Sequence, residues 1–177
     1  MLARKLLGCL VASTTIAVFA ACTGSAAGPD VSVPPAPAYI ESSAEACPVT
    51  RPPDPGFVPR KPYPAAPPMK DSFWYGTPSL WTELPINGAW PQLALGEKFW
   101  WWSEDFDARA EPNPDLVITA RRLDGAAPPY RTGWTTHGWS ADLYEAMLVG
   151  FELPTTGCWE ITGEYRGRRL VVVQWVP

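Results

Sequence analysis

The chain has 177 residues, 14 Lys and Arg against 18 Asp and Glu, and a net charge of −4. That length holds one domain with accessory segments. So sparse and acidic a charge argues against nucleic acid as a partner, because binding phosphates takes clustered cations; the short run Arg166, Arg168, Arg169 reads instead as the charged tip and edge of a hairpin.

The first 22 residues fall into three parts. Arg4 and Lys5 form a positive start, Leu6 to Phe19 is an uncharged and mostly apolar run, and Ala20-Ala21 precede Cys22. The run is shorter than the ~20 residues of a spanning helix, which suits a cleaved export signal. Phe19-Ala20-Ala21-Cys22 resembles the lipobox of bacterial lipoproteins, with Phe where that pattern prefers Leu. The resemblance implies a diacylglyceryl group on the Cys22 thiol, cleavage before Cys22, and acylation of the new amine. Two or three acyl chains anchor a protein firmly, where one binds only marginally. Loss of residues 1–21 removes Arg4 and Lys5 and no acid, so the net charge falls from −4 to −6. An ordinary secretory signal with an incidental cysteine is the alternative.

Of the four cysteines, Cys9 lies within the signal and Cys22 is the lipidation site. Cys47 and Cys158 remain, and an oxidising compartment favours a disulfide between them. The alternative is two free thiols. With no C-x-x-C and a single His, neither a metal site nor a cofactor is expected.

Proline is unevenly placed, with 13 of the 22 between Pro29 and Pro68. Residues 22–46 read as a flexible tether. Residues 47–70 are denser in proline and carry Phe57 and Tyr63. Such a segment favours extended polyproline conformation and cannot be a central strand. If Cys47 is tied to Cys158, the segment runs along the domain with its prolines against Trp rings.

From residue 71 to 177 the pattern is strands and turns. Phe73-Trp74-Tyr75 is a short aromatic run ended by Gly76, and Leu80 to Leu84 alternates up to Pro85. Asn87-Gly88 and Asp124-Gly125 are turn signals. Lys98 to Ser103, Leu116 to Leu123 and Met147 to Leu153 are strand candidates. Cys158 to Tyr165 and Arg169 to Val176 flank Arg166-Gly167-Arg168 as a hairpin. One helical signal appears: Asp142 with Glu145 as a capping box, and Leu143 to Met147 as about a turn of helix. Short strands at turn-marked intervals predict an all-β sandwich.

Gly157-Cys158-Trp159-Glu160-Ile161-Thr162, a tight turn and Leu170-Val171-Val172-Val173 resemble the last two strands of bacterial immunoglobulin-like domains. Over a wider span, Cys47-Pro48-Val49-Thr50, Phe73-Trp74-Tyr75-Gly76, Leu80-Trp81-Thr82, Gly150 to Pro154 and Gly157-Cys158-Trp159-Glu160 resemble a group of uncharacterised bacterial lipoproteins. The resemblance implies an immunoglobulin-like β-sandwich and brings no activity or catalytic residues.

Three features are candidate binding residues. In Phe99-Trp100-Trp101-Trp102, alternation puts Phe99 and Trp101 on one face and Trp100 and Trp102 on the other. An exposed face would be a platform for sugar rings or a partner protein. The plainer reading, preferred because large aromatics bury, has one face in the core and the other under the Pro-rich segment. Glu104, Asp105 and Asp107 follow directly, and could bind an ion or form an acid–base pair, or be a solvated turn. His137 sits near Ser140 but without a Gly-x-Ser-x-Gly elbow, which favours a loop histidine between aromatic anchors. The expectation is therefore a lipid-anchored, extracytoplasmic, non-enzymatic binding or envelope-interaction module, with the membrane and an envelope glycan or protein as partners. The alternatives are a small envelope hydrolase using Glu104, Asp105, Asp107 or His137, and a purely structural envelope protein.

Overall fold

The computed structural model describes residues 43–177. The signal, Cys22 and most of the tether lie outside the described residues. At the start of the described part, Ala44–Ala46 form one turn of 3-10 helix before Cys47.

Nine strands follow in order: β1 (Ser72–Thr77), β2 (Leu80–Pro85), β3 (Lys98–Trp102), β4 (Leu116–Arg122), β5 (Tyr130–Thr132), β6 (Thr135–Ser140), β7 (Tyr144–Gly150), β8 (Gly157–Tyr165) and β9 (Arg168–Val176). They form two sheets, β1-β2-β3-β7-β6 and β5-β4-β8-β9. Every strand pairing is antiparallel. This is the expected all-β, immunoglobulin-like sandwich, in which the chain passes between sheets after β3, β5 and β7.

Alternation along the strands builds the core. From one sheet it takes Leu80, Leu84, Phe99, Trp101, Met147 and Val149; from the other, Leu116, Ile118, Trp159, Ile161, Val172 and Val176. The side chains between them in β4 and β8, such as Arg121 and Glu160, face outward and pair at 2.7 Å.

The five-stranded sheet is unusual in being covered on its second face as well. Trp74, Trp81, Trp102 and Ala146 form a separate buried cluster there with Tyr63, and Phe57, Trp100 and Leu143 pack at its margin. Tyr63 meets the Trp81 ring edge-on at 4.9 Å, and Phe57 lies 5.7 Å from it. The Pro-rich segment thus makes a third layer. Its prolines give no ladder hydrogen bonds, so aromatic packing and single polar contacts hold it. Among those contacts, Trp74 Nε1 donates to Pro64 O at 3.2 Å and Tyr63 Oη to Ser103 O at 3.2 Å.

The Cys47–Cys158 disulfide is present and pins the start of this layer to β8, its ends 111 positions apart in sequence. Just beyond it, Thr50 N donates to Val173 O and Val173 N to Thr50 Oγ1, both at 2.8 Å. Trp175 N donates to Gly88 O, and Trp90 N to Trp175 O. Two segments therefore close the open side of β9, removing an edge that would otherwise invite another strand. Gly88 is required there: its φ is +74°, and a Cβ would fall 2.4 Å from Val49 Cγ2.

Three expectations are corrected. Asp142 and Glu145 cap no helix, because residues 141–143 are a turn and Tyr144, at φ 57°, opens β7. Ser140 Oγ accepts from Leu143 N, while the Glu145 carboxylate accepts from Ala108 N in another loop. Second, His137 is not in a loop but on β6, paired opposite Met147. Polar and small residues in Thr135–Ser140 hid that strand, which takes its order from β7. Third, β1 runs through Gly76 instead of ending before it. Gly76 pairs with Trp81 at a spacing where a Cβ would meet Leu80 O at 2.4 Å. The β8–β9 connection is the two-residue pair Arg166-Gly167, both at positive φ as such hairpin turns require.

Glu83 lies on the covered face of β2, 7% exposed. Burial raises its pKa, although Met69 N–H and the Ser72 hydroxyl oppose this by bonding to the carboxylate. A carboxyl raised in the folded state favours folding when protonated. That contribution is complete below the ordinary carboxyl pKa and is lost as pH rises through the raised value. Glu83→Gln is expected to raise the urea midpoint at neutral pH, with the gain shrinking toward pH 4. An equal gain at both pH values would show that ionisation is not the cause.

Candidate functional site

The loop from β3 to β4 begins with a tight turn. Phe106 N donates to Ser103 O at 3.2 Å, and Ser103 Oγ accepts from Asp105 N at 3.1 Å. Phe106 is thereby turned inward, where it is 5% exposed and edge-on to Tyr165. Asp107 then organises the next turn: Oδ1 accepts from Arg109 N at 2.9 Å, and its carbonyl accepts from Ala110 and Glu111 N. This is the local side-chain-to-backbone bonding that Asp favours in turns.

Glu111 anchors the far end of the loop. It accepts from Tyr165 Oη, Arg166 Nη2 and Asp115 N at 2.6–2.7 Å. Burial acts to raise its pKa, but the Tyr165 hydroxyl, the Asp115 amide and the Arg166 guanidinium outweigh it and hold the carboxyl below its usual range.

This loop, the turn at Arg60–Tyr63 and the start of β7 enclose an open cavity of about 540 Å³. Its walls carry cations (Arg60, Lys61, Arg109), carboxylates (Glu104, Asp107, Glu145) and the rings of Tyr63 and Tyr144. The Tyr63 and Tyr144 rings meet edge-on at 5.2 Å. The Tyr63 hydroxyl is pushed up to about 12 by burial first, then by Glu145, Tyr144 and Glu104. It remains a neutral donor to Ser103 O and no base. Trp139, 66% exposed, is the cross-strand partner of Glu145, so its indole leaves the sheet on the same face as that carboxylate.

Each carboxylate already has structural work. Glu104 lies 3.9 Å from Arg60, Asp107 holds the Arg109 amide, and Glu145 holds the Ala108 amide at 3.3 Å. The free oxygens and the exposed Lys61 and Arg109 give the cavity groups of both signs for a polar ligand. Among the described residues, no three His, Cys, Asp or Glu come together in a way that could hold a metal ion.

The structure brings together only part of the predicted set. Glu104 and Asp107 line the cavity. Asp105 does not; it is exposed, and its carbonyl accepts from Arg166 Nη1 at 2.6 Å. His137 Nδ1 lies 2.9 Å from Pro112 O, and no hydrogen bond joins it to Ser140. Trp102 is fully buried, with Nε1 donating to Leu143 O, and Trp100 is half-buried beside it. Neither forms the exposed platform considered from the sequence, since rings from the Pro-rich segment occupy that side. Arg60, Lys61, Tyr63, Arg109, Tyr144 and Glu145 were missed as site residues. They come from three distant segments, and Glu145 carried a helix-cap signal instead. Comparison with protein families, with curated proteins and with solved structures gives no match.

Proposed function

We propose that this chain is a lipid-anchored, extracytoplasmic protein whose sandwich is a non-enzymatic binding module for a polar component of the cell envelope. The cavity between the Pro-rich segment, the β3–β4 loop and β7 carries the reading: it offers cations, carboxylates and tyrosine rings in one open space. Its carboxylates shape the loop, and no hydrogen-bonded nucleophile–base pair lines it. Export is supported by the apolar run Leu6 to Phe19 and by the Cys47–Cys158 disulfide, which belongs to an oxidising compartment. Anchoring is supported by the lipobox-like Phe19-Ala20-Ala21-Cys22.

A second reading, a small envelope hydrolase, draws on the convergence of Glu104, Asp107 and Glu145 in the same cavity. An array of envelope glycans and stem peptides, probed with the purified chain, separates the two. Binding is expected to fall at least tenfold in the Arg109→Ala and Tyr144→Ala variants with the ligand recovered intact. A cleaved ligand would favour the hydrolase, and retention unaffected by both variants would reject this cavity as the site. For the anchor, Cys22→Ser is expected to leave an uncleaved precursor that incorporates no labelled fatty acid. Normal labelling of that variant would reject the assignment.

A further inference from the structure

Two exposed indoles bracket one strand. Trp134, 82% exposed, precedes β6, and Trp139, 66% exposed, lies near its end. Large aromatics favour burial, and two of them flank the same short strand. β6 is also an outer strand, and among the described residues its main chain pairs with β7 alone. The outer strand of the other sheet, β9, is closed by Thr50, Gly88 and Trp90, and β5 is only three residues long. β6 has six residues, and the 112–114 segment meets it only through the side chains of Thr135 and His137, which bond to the carbonyls of Pro114 and Pro112. The chemistry that fits a row of unpaired N–H and C=O groups is another extended main chain.

We propose that β6 pairs antiparallel with β6 of a second copy of this chain, joining two five-stranded sheets into one of ten. A two-fold axis normal to the sheet relates the strands in such a dimer. Residues directly opposite each other share a face, so their positions must add to an even number.

One such register matches this sequence to itself. Centred on Thr136, it sets Thr136 opposite its own mate, Thr135 opposite the partner's His137, and Trp134 opposite the partner's Gly138. Trp139 then reaches the partner's Gly133, where that chain turns toward the other sheet. Each indole thus meets a glycine, which sets no side chain of its own against the ring. At Gly138 the place of a Cβ is filled by Leu148, whose Cδ1 lies 2.7 Å from it, with the Trp100 ring at 3.6 Å. An arriving indole finds apolar surface there, and Trp100 gains the cover that the Pro-rich segment leaves incomplete. The paired threonines are a favourable cross-strand combination. Centring on His137 instead would set two imidazoles face to face and Trp134 against Ser140. Two indoles offer roughly 300 Å² per protomer, below the ~800 Å² per partner of a standard interface. Main-chain pairing supplies the remainder, and a dimer of modest affinity is expected.

Cysteine cross-linking reads both the contact and its register. Opposed residues in an antiparallel pair have Cα atoms ~4.5–5.5 Å apart, within disulfide reach. The purified full chain carrying Thr136→Cys is treated with a mild oxidant and run without reductant, and the link is located by mass mapping. Thr136 is exposed, so the change leaves the core untouched. Most of this variant is expected to become a dimer linked through position 136. Ser140→Cys is the control: in this register its two copies lie on the order of 25 Å apart, and it should cross-link at least tenfold more slowly. Adding Trp134→Ala to Thr136→Cys should slow the link several-fold. A monomeric Thr136→Cys whose thiol reacts freely with alkylating agent would overturn the proposal. So would equal rates at positions 136 and 140, which would indicate random collision, or indifference to Trp134→Ala.

Discussion

Replacing Trp101 with alanine is expected to cost about 3–5 kcal/mol of unfolding free energy, in the range of buried aromatic truncations. Trp101 is fully buried on β3, between Thr82 of β2 and Met147 of β7. Its ring stands edge-on to Phe99 at 5.0 Å and crosses to the opposite sheet. There it rests on Gly163, where an added Cβ would lie 2.5 Å from the ring. One side chain therefore bridges both layers, and its loss leaves a hole that neither sheet can fill without moving its backbone. Its indole N–H finds no acceptor among the described residues, so packing rather than hydrogen bonding supplies its contribution. Gly163→Ala should also destabilise, by pushing the same ring from the other side. Trp100→Ala, at the half-buried margin of the second cluster, should cost less than half as much as Trp101→Ala. Urea unfolding followed by circular dichroism ranks the three. A cost below about 1 kcal/mol for Trp101→Ala would mean that this ring does not join the sheets.

The double replacement Cys47→Ala and Cys158→Ala is expected to lower stability by about 2–5 kcal/mol. The bridge joins positions 111 apart in sequence, most of the described chain. The chain-entropy account gives roughly 4–5 kcal/mol for such a loop, through restriction of the unfolded state, and real bridges often deliver less. The bridge also fixes the third layer at its first residue. Without it, that layer relies on the Thr50–Val173 bonds and on Tyr63 and Phe57 over Trp81. Protease should therefore cut residues 47–70 faster in the variant than in the oxidised wild type. Reduction of the wild type should give the same shift in midpoint. An unchanged midpoint after reduction would show that packing alone carries the layer.

The sequence by itself determined the elements whose signals are local. Leu80 to Leu84, Lys98 to Trp102, Leu116 to Arg122 and the β8–β9 hairpin have β-rich runs bounded by Pro, Gly or Asp. Strand alternation also divided Phe99 and Trp101 from Trp100 and Trp102, and the two faces do lie in different clusters. The cysteine pair was readable because only two remained once Cys9 was set aside with the signal and Cys22 was assigned to lipid.

Tertiary structure alone decided the rest. Thr135–Ser140 has little intrinsic reason to be a strand, and becomes one by pairing with β7; the same β7 takes Tyr144 to Met147 away from a helix. The cavity joins Arg60–Tyr63, Glu104–Arg109 and Tyr144–Glu145, segments about 40 residues apart from one another, and no local pattern announces that meeting. Burial likewise belongs to the whole fold. The run Phe99-Trp100-Trp101-Trp102 is the most conspicuous in the sequence, yet its neighbours cover most of it. The indoles left open are Trp134 and Trp139, because β6 lies at a sheet edge, where the 112–114 segment meets Thr135 and His137 and leaves both rings uncovered.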